Sequence, residues 1–209
     1  MHLLYLIAIR VKVCSQMKYA EILDIKKPFF ASADVAERLK IKPQSAVVLC
    51  NRYVKMNFLI RLKRDLYMLA VKWPYLSSAD FFLIANRLQV PSYLSLTTAL
   101  SFYQITTQVQ QAYFESISLK QNEYNVQGTI CRYFKVKHAL YFGLVRREGI
   151  FIAAPEKALW DAVYLQSLGR YSLDVAALDL KKINQATLES LAGRFPDSAR
   201  RCMEKLWRV

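Results

Sequence analysis

Histidine and cysteine are scarce in this chain, with two histidines and four cysteines among 209 residues. The cysteines stand far apart, at Cys14, Cys50, Cys131 and Cys202, and none has the paired spacing of a zinc site. The pattern argues against a metal site and against a disulfide framework, and it favours a reduced, cytoplasmic protein. We expect neither a metal nor any other cofactor.

Glycine and proline are also few, at five and six residues, whereas 54% of the residues are hydrophobic. This composition is typical of folded cores rather than of disordered chains. The apolar run from Leu3 to Ile9 is too short to cross a bilayer and lacks the basic start of a secretory signal. We expect no membrane partner. Residues 1–16 are interpreted as an N-terminal extension, with an added strand as the alternative.

Acidic residues are missing from one basic segment, which runs from Arg38 to Arg64. Its basic residues are Arg38, Lys40, Lys42, Arg52, Lys55, Arg61, Lys63 and Arg64. Residues 17–75 hold twelve basic and five acidic residues, so their net charge of +7 is half of the +14 of the whole chain. A localised basic surface gains affinity for nucleic acid by releasing its counterions. We therefore predict a DNA-binding domain at 17–75.

The local sequence of this domain predicts a helix, a turn, a second helix and a hairpin. Ser32 suits the N-cap of a helix at 33–39, and Pro43 suits the first turn of a helix that ends near Asn57. Apolar strand patterns at 58–61 and 66–69 flank a basic turn. This order predicts a winged helix-turn-helix, in which the hairpin is the wing.

The second helix is predicted to present one face to a DNA groove. If Ala46, Leu49, Cys50 and Tyr53 point inward, the helical rotation turns outward the set Gln44, Val48, Asn51, Arg52 and Lys55. Amide and guanidinium groups can bond base edges, a valine methyl can contact thymine, and lysine suits phosphate. The wing residues Arg61, Lys63 and Arg64 are expected to contact phosphates or to enter the minor groove. For the helix, the alternative is a solvated surface that uses Val48 in a protein contact. For the hairpin, the alternative is that the basic residues only protect an exposed strand edge.

A second domain is predicted at 76–209, because Trp73, Pro74 and the pair Ser77 and Ser78 punctuate the chain before it. Helices are expected at 80–88, 96–102 and 156–166, with two more between 186 and 207 that separate at Pro196. Strand-like segments occur at 112–119, 129–137 and 144–153. Because these strands follow one another without intervening helices, we expect a mainly antiparallel sheet and an α+β protein with a mixed α/β second domain.

Four segments together resemble one known family. They are "ASADVAERLKI" at 31–41, "NRYVKMNFLIRLKRDLY" at 51–67, "PSYLSLTTALSFY" at 91–103 and "APEKALWDAVYL" at 154–165. In order and spacing the chain is similar, from Met17 onward, to the AbiEi antitoxins of type IV toxin-antitoxin systems. It departs from their pattern at Asn57 and Asp65, where glycine is common, but Asn and Asp tolerate the positive φ that such turns require.

The resemblance implies a regulator that represses its own promoter by binding inverted repeats in duplex DNA. It also implies that the second domain counteracts a nucleotidyltransferase-like toxin without forming a stable complex with it. The candidate residues for antitoxicity are Glu156, Lys157, Asp161, Tyr133 and Lys135. The last four are expected to point outward, although capping and positioning of a helix is the alternative role for Glu156, Lys157 and Asp161.

Two other classes of function remain open at this point. A metal-dependent nuclease would use Glu115, Glu156, Lys157 and Asp161, but Glu156 and Lys157 are adjacent on a predicted helix rather than converging at a strand edge. The sequence also lacks a Gly-rich phosphate loop and a serine nucleophile elbow, so we expect no enzyme. The second class is a plain repressor whose second domain binds a ligand or mediates dimerisation, with no toxin partner.

Overall fold

The structure is a computed structural model that describes residues 18–108 and 110–207. The expectations for residues 1–16 lie outside this range. The fold belongs to the α+β class, and the chain divides into two compact units at the bond between Leu76 and Ser77. Unit 1 denotes residues 18–76 below, and unit 2 denotes the described residues from Ser77 onward. No helix in the described ranges is both long enough and apolar enough to cross a membrane.

Unit 1 is built from helices followed by a hairpin. A helix described at 18–23 (α1) precedes α2 (Ser32–Leu39) and α3 (Pro43–Lys55). Strands β1 (Leu59–Lys63) and β2 (Leu66–Leu69) then pair antiparallel, and a 3₁₀ helix follows at Ala70–Tyr75. The order helix, turn, helix, hairpin agrees with the prediction from the sequence.

The core of unit 1 confirms which face of α3 is apolar. Ala46, Leu49, Cys50 and Tyr53 are all buried, together with residues of α1, α2 and the hairpin. Their spacing places them on one side of a helix, so burying them leaves the opposite side of α3 to solvent. Burial raises the pKa of the Cys50 thiol to about 11, which makes it a packing residue rather than a reactive one.

The start of α2 differs from the prediction, because Ser32 is the first helical residue rather than the N-cap. The backbone of Ala31 occupies the cap position, and its amide donates to the Asp34 carboxylate at 2.7 Å. The Ser32 amide donates to the carboxylate of Asp65 at 3.0 Å. Two acidic side chains therefore bind the amides at the start of α2, and the amides of Asp34 and Val35, which a serine N-cap would accept from, donate to the backbone oxygen of Ala31 instead.

Two turns of unit 1 show why glycine can be replaced in this chain. Asn57, after α3, and Asp65, in the hairpin turn, have φ values of 57° and 54°. Asn and Asp are among the non-glycine residues that best tolerate this left-handed region, as the sequence predicted. Asp65 also uses its side chain to bind the start of α2, so a glycine there would lose that contact.

Unit 2 contains a six-stranded sheet covered by helices. In chain order its elements are α4 (Ser78–Leu88), β3 (Ser92–Leu94), α5 (Leu96–Phe102), β4 (Tyr113–Ser118), β5 (Asn122–Val126), β6 (Thr129–Lys135), β7 (Leu144–Arg147), β8 (Ile150–Ala153), α6 (Pro155–Ser167), α7 (Gln185–Ala192) and α8 (Asp197–Trp207). The strand order is β5-β6-β4-β3-β8-β7. Helix α6 is buried continuously from Glu156 to Leu165.

The sheet is mixed, so the expectation of a mainly antiparallel sheet is only partly correct. Strands β4 and β6 are parallel, as are β3 and β8, whereas the other neighbours are antiparallel. Strand β6 lies between β4 and β5 although β5 precedes it in sequence. The prediction treated the strands at 112–119 and 129–137 as successive, but β5 lies between them in sequence and allows β4 and β6 to run parallel.

Segment boundaries in unit 2 also required correction. The strand predicted at 144–153 is a hairpin, because Glu148 and Gly149 adopt φ values of 50° and 83° and reverse the chain. The short strands β3 and β5 were missed. Strand β3 has three residues, too few to show an alternating pattern, and β5 is mostly polar. The two helices predicted to separate at Pro196 are α7 and α8.

Candidate nucleic-acid interface

One concave surface of unit 1 is an open groove of about 620 Å³, called the basic groove below. It is lined by Lys18, Lys40, Ile41, Lys42, Gln44, Ser45, Val48, Leu49 and Arg52. Every charged side chain among these described residues is cationic. A concave surface lined by one sign of charge concentrates the field, so this groove attracts anions more strongly than scattered charges would.

Three members of the predicted recognition set lie together in this groove. Gln44, Val48 and Arg52 follow at intervals of four residues on α3, so they form one stripe along the helix. All three are exposed, and Val48 keeps 59% of its surface accessible. An amide, an apolar branched side chain and a guanidinium in one row provide donors, an acceptor and a methyl contact for base edges.

Asn51 and Lys55 belong to the neighbouring stripe of α3 and do not line the basic groove. Asn51 is half-buried, and its side-chain oxygen accepts a hydrogen bond from the guanidinium of Arg61 on β1. A two-point contact with adenine would need that same oxygen as acceptor. Asn51 therefore connects α3 to the hairpin, rather than presenting a free side chain to DNA as predicted from the sequence.

The hairpin residues differ among themselves. Arg61 is exposed, bonds to Asn51, and lies with its guanidinium carbon 5.8 Å from the centre of the Tyr67 ring. Lys63 is half-buried beside the irregular register between Arg61 and Lys63, and Arg64 is exposed in the turn. The hairpin thus presents cations on its strand and at its tip, but they do not line the basic groove.

Lys18, Lys40 and Lys42 line the basic groove but were outside the predicted recognition set. Lys40 ends α2 in the left-handed conformation with φ of 51°, and Lys42 precedes α3 as its N-cap. Both belong to the acid-free segment, so their charge was visible in the sequence. Lys18 comes from α1, 22 residues before Lys40, and no local signal associates it with the groove.

Unit 2 corrects the expectation that Lys157 and Asp161 point outward. Both side chains are completely buried and form an ion pair one turn apart on α6. The other carboxylate oxygen of Asp161 accepts from Tyr93 at 3.1 Å and from Ser95 at 2.8 Å. Burial lowers the pKa of Lys157 and raises that of Asp161, while their mutual attraction opposes both shifts. The pair is a buried ion pair within unit 2 and is not part of a contact surface.

The remaining antitoxicity candidates are divided between core and surface. Tyr133 is fully buried and donates from its hydroxyl to the backbone of Ala85 at 2.5 Å, so its predicted exposure was wrong. Glu156 is buried and accepts from the amide of Asn184 at 3.0 Å, which supports the positioning role considered for it. Lys135 is the exposed member of this set. Tyr133 and Lys135 are two positions apart on β6 and so share one face of the strand, which is covered at Tyr133 and exposed at Lys135.

The carboxylates considered for a nuclease serve separate networks. Glu115 is 3% exposed and accepts from the amide of Thr97 at 3.1 Å and from the hydroxyl of Tyr171 at 2.9 Å. Asp161 instead binds Ser95, at the start of α5. Burial is the main reason why the pKa of Glu115 is raised. Glu115 thus binds an amide in the first turn of α5, where a helix presents unsatisfied amides, whereas Asp161 binds the side chain of the N-cap residue Ser95.

The comparisons with known proteins place this chain by fold. No family model matches the chain, and the search of curated proteins found no match. Among solved structures it is similar to the crystal structure of the RV2827C protein from Mycobacterium tuberculosis. The TM-score is 0.60 at 13% sequence identity, over 90% of this chain and 74% of that one. At this identity the likeness shows a shared fold alone.

Proposed function

We propose that this protein is a DNA-binding transcriptional regulator whose unit 1 acts as a winged helix-turn-helix. The single observation that carries the proposal is the basic groove, in which Gln44, Val48 and Arg52 stand exposed among cationic side chains. In this proposal α3 enters the major groove and the hairpin contacts the phosphate backbone. The acid-free segment from Arg38 to Arg64 supplies most of the attraction to DNA.

Two groups of side chains in the basic groove support different parts of this proposal. Lys18, Lys40 and Lys42 lie beside the exposed stripe of α3, where flanking cations suit phosphates on either side of a groove. Such contacts fix the position of the protein but do not read sequence. Gln44, Val48 and Arg52 provide the chemistry that distinguishes one base pair from another. Sequence-specific binding therefore requires both groups.

The first test measures duplex binding by the full chain as a function of salt. With roughly five to eight phosphate contacts, log affinity should fall against log salt with a slope of about −4 to −7. The double variant Lys42→Gln with Arg52→Gln should weaken binding and flatten this slope by about one, because Lys42 contacts phosphate whereas Arg52 contacts a base edge. Its matched control is Lys26→Gln with Lys72→Gln, which removes the same charge from unit 1 outside the basic groove. Equal effects of the two double variants would refute this assignment of the interface.

The second test separates base reading from charge. Arg52→Ala should cost about 1–3 kcal/mol on the protein's own promoter and less on unrelated duplex DNA. Lys42→Ala should weaken both duplexes to a similar extent, because a phosphate contact carries no base information. If Arg52→Ala weakens both duplexes equally, Arg52 contacts phosphate and the reading stripe reduces to Gln44 and Val48.

We further propose that the protein represses its own promoter and acts as an antitoxin against a nucleotidyltransferase-like toxin, without a stable complex between the two. This part rests on the resemblance of four segments to the AbiEi antitoxins. The Lys42→Gln, Arg52→Gln double variant provides the test in cells that express a toxin encoded beside this gene. If antitoxicity belongs to unit 2, the variant should lose repression and still protect the cells. Loss of both would make the protein a repressor that silences its toxin's gene.

The proposed regulator is cytoplasmic and not an enzyme. The proposal that it is not an enzyme is supported by the side chains of Glu115, Glu156, Lys157 and Asp161, which already form internal hydrogen bonds and one buried ion pair. A plain repressor with a ligand-binding or dimerisation role for unit 2 is the second candidate. It is favoured if no toxin gene accompanies this one and the full chain protects no cell.

A further inference from the structure

A second cationic cleft lies in unit 2 and takes no part in the proposed contact with DNA. Its volume is about 400 Å³, and it lies where the end of β6, the end of α6 and the start of α8 meet. Lys135, Lys137 and Arg170 line it, and every charged side chain among its described lining residues is one of these three. We call it the unit 2 cleft.

Arg170 is held in place in this cleft rather than being free to rotate. One terminal nitrogen of its guanidinium donates to the backbone oxygen of Lys135 at 3.2 Å, and the other donates to the side-chain oxygen of Gln121 at 3.2 Å. These bonds connect the segment after α6 to the sheet. A guanidinium fixed in this way loses less conformational entropy when it binds an anion, which favours a specific site over a diffuse charge.

Apart from Ser198, the remaining residues that line the cleft are mainly apolar. Val136 and Tyr164 are buried at its base, and Leu168 keeps 45% of its surface accessible at its edge. A volume of about 400 Å³ is within the usual range for small-molecule sites, which are mostly apolar with a few fixed polar groups. Three cations beside an apolar base suit a ligand that carries both phosphate and a flat ring.

We propose that the unit 2 cleft binds a nucleotide through its phosphate group, either as a free nucleotide or as one unit of a nucleic-acid strand. Lys135, Lys137 and Arg170 bind the phosphate, and the apolar base contacts the ring. Lys135 is the one exposed residue among the antitoxicity candidates, so the proposal gives that residue a binding role. It does not depend on whether unit 1 binds DNA.

The test uses the full chain and a fluorescent ADP analogue as the probe, titrated at low salt. The cleft variant carries Lys135→Gln, Lys137→Gln and Arg170→Gln. The matched control carries Lys120→Gln, Lys181→Gln and Arg201→Gln, which removes the same charge from exposed positions of unit 2 outside the cleft. The cleft variant should bind the probe at least tenfold more weakly, whereas the control and the Lys42→Gln, Arg52→Gln variant should bind it normally.

Two competitors then identify the source of the phosphate. Displacement of the probe at lower concentrations of unlabelled ADP than of a short single-stranded oligonucleotide supports a free nucleotide, and the reverse order supports a strand. A probe that unlabelled ADP cannot displace is not held by its nucleotide, which would overturn the proposal. Equal probe affinity in the cleft and control variants would overturn the proposal. It would also be overturned if the native chain bound neither the probe nor the oligonucleotide. Circular dichroism of the cleft variant must match that of the native chain, and if it does not, Lys137→Gln alone, which leaves the bonds of Arg170 intact, replaces it.

Discussion

Removing one partner of the buried pair Lys157 and Asp161 should destabilise unit 2 strongly. Both side chains are completely buried, so Lys157→Met leaves a carboxylate inside the protein with only the hydroxyls of Tyr93 and Ser95 as donors. Breaking a buried ion pair in this way costs about 3–5 kcal/mol. Because whole domains are stable by only about 5–15 kcal/mol, the single variant should lose a large share of the stability of unit 2.

The double variant Lys157→Met with Asp161→Leu should recover part of that loss. It removes both charges, and apolar side chains of similar size can replace a buried pair at little or no cost. The ammonium of Lys157 lies 4.8 Å from the centre of the Phe142 ring and 5.5 Å from that of Phe195, so a methionine there keeps aromatic neighbours. The loss in the double variant should therefore be clearly smaller than the sum of the two single losses.

Urea unfolding followed by circular dichroism measures these free energies for each variant. The control is Lys181→Met, an exposed lysine of the same unit, which should change stability by less than about 0.5 kcal/mol. A Lys157→Met variant that unfolds within about 1 kcal/mol of the native chain would refute the reasoning. Strict additivity of the two single variants would also refute it, because coupled partners must be non-additive.

Three further predictions concern backbone and titration. Gly143→Ala places a Cβ 2.9 Å from the Lys157 side chain and should lower the free energy of unfolding by about 1–3 kcal/mol, and by more than Gly169→Ala, which has a similar φ of 65° but open space around it. Thermal melting of both variants tests this order. Because the pKa of Glu115 is raised in the folded protein, this group stabilises the fold below its ordinary pKa of 4.5, and the contribution is lost as the pH rises. Glu115→Gln should therefore gain stability relative to the native chain between pH 4.5 and neutral pH. A difference in unfolding free energy that stays constant with pH would contradict it. Asp65→Ala should cost about 0.5–2 kcal/mol in a melting experiment, because it removes the acceptor for the start of α2 and places alanine at a φ of 54°. Asp65→Asn should keep most of the stability, because asparagine retains a side-chain oxygen and tolerates that φ.

Much of unit 1 could be predicted because its signals are local. Pro43 starts α3, the spacing of Ala46, Leu49, Cys50 and Tyr53 defines its buried side, and Asn57 reverses the chain after it. Each signal depends on residues within a few positions of one another. The exposed stripe of Gln44, Val48 and Arg52 follows from the same geometry, and the structure places it in the basic groove.

The candidate site was less predictable where residues distant in sequence meet. The bond between Asn51 and Arg61 crosses from helix to hairpin, and the position of Lys18 depends on how α1 packs. Whether a helix face is buried or exposed is also ambiguous when the elements packed against it are unknown. Lys157 and Asp161 form the i,i+4 pattern of a solvent-exposed pair, yet they are the most deeply buried charges of α6.

The sequence by itself determined the α+β class, most helix boundaries, the inward face of α3 and the concentration of positive charge in residues 17–75. These depend on short-range periodicity, on turn residues and on a simple sum of charges. The tertiary structure decided the mixed order of the sheet, the burial of Lys157, Asp161 and Tyr133, and the meeting of Lys135, Lys137 and Arg170 in one cleft. The physical reason is that burial and electrostatic partnership belong to packed surfaces, and packing brings together residues whose separation along the chain carries no periodic signal.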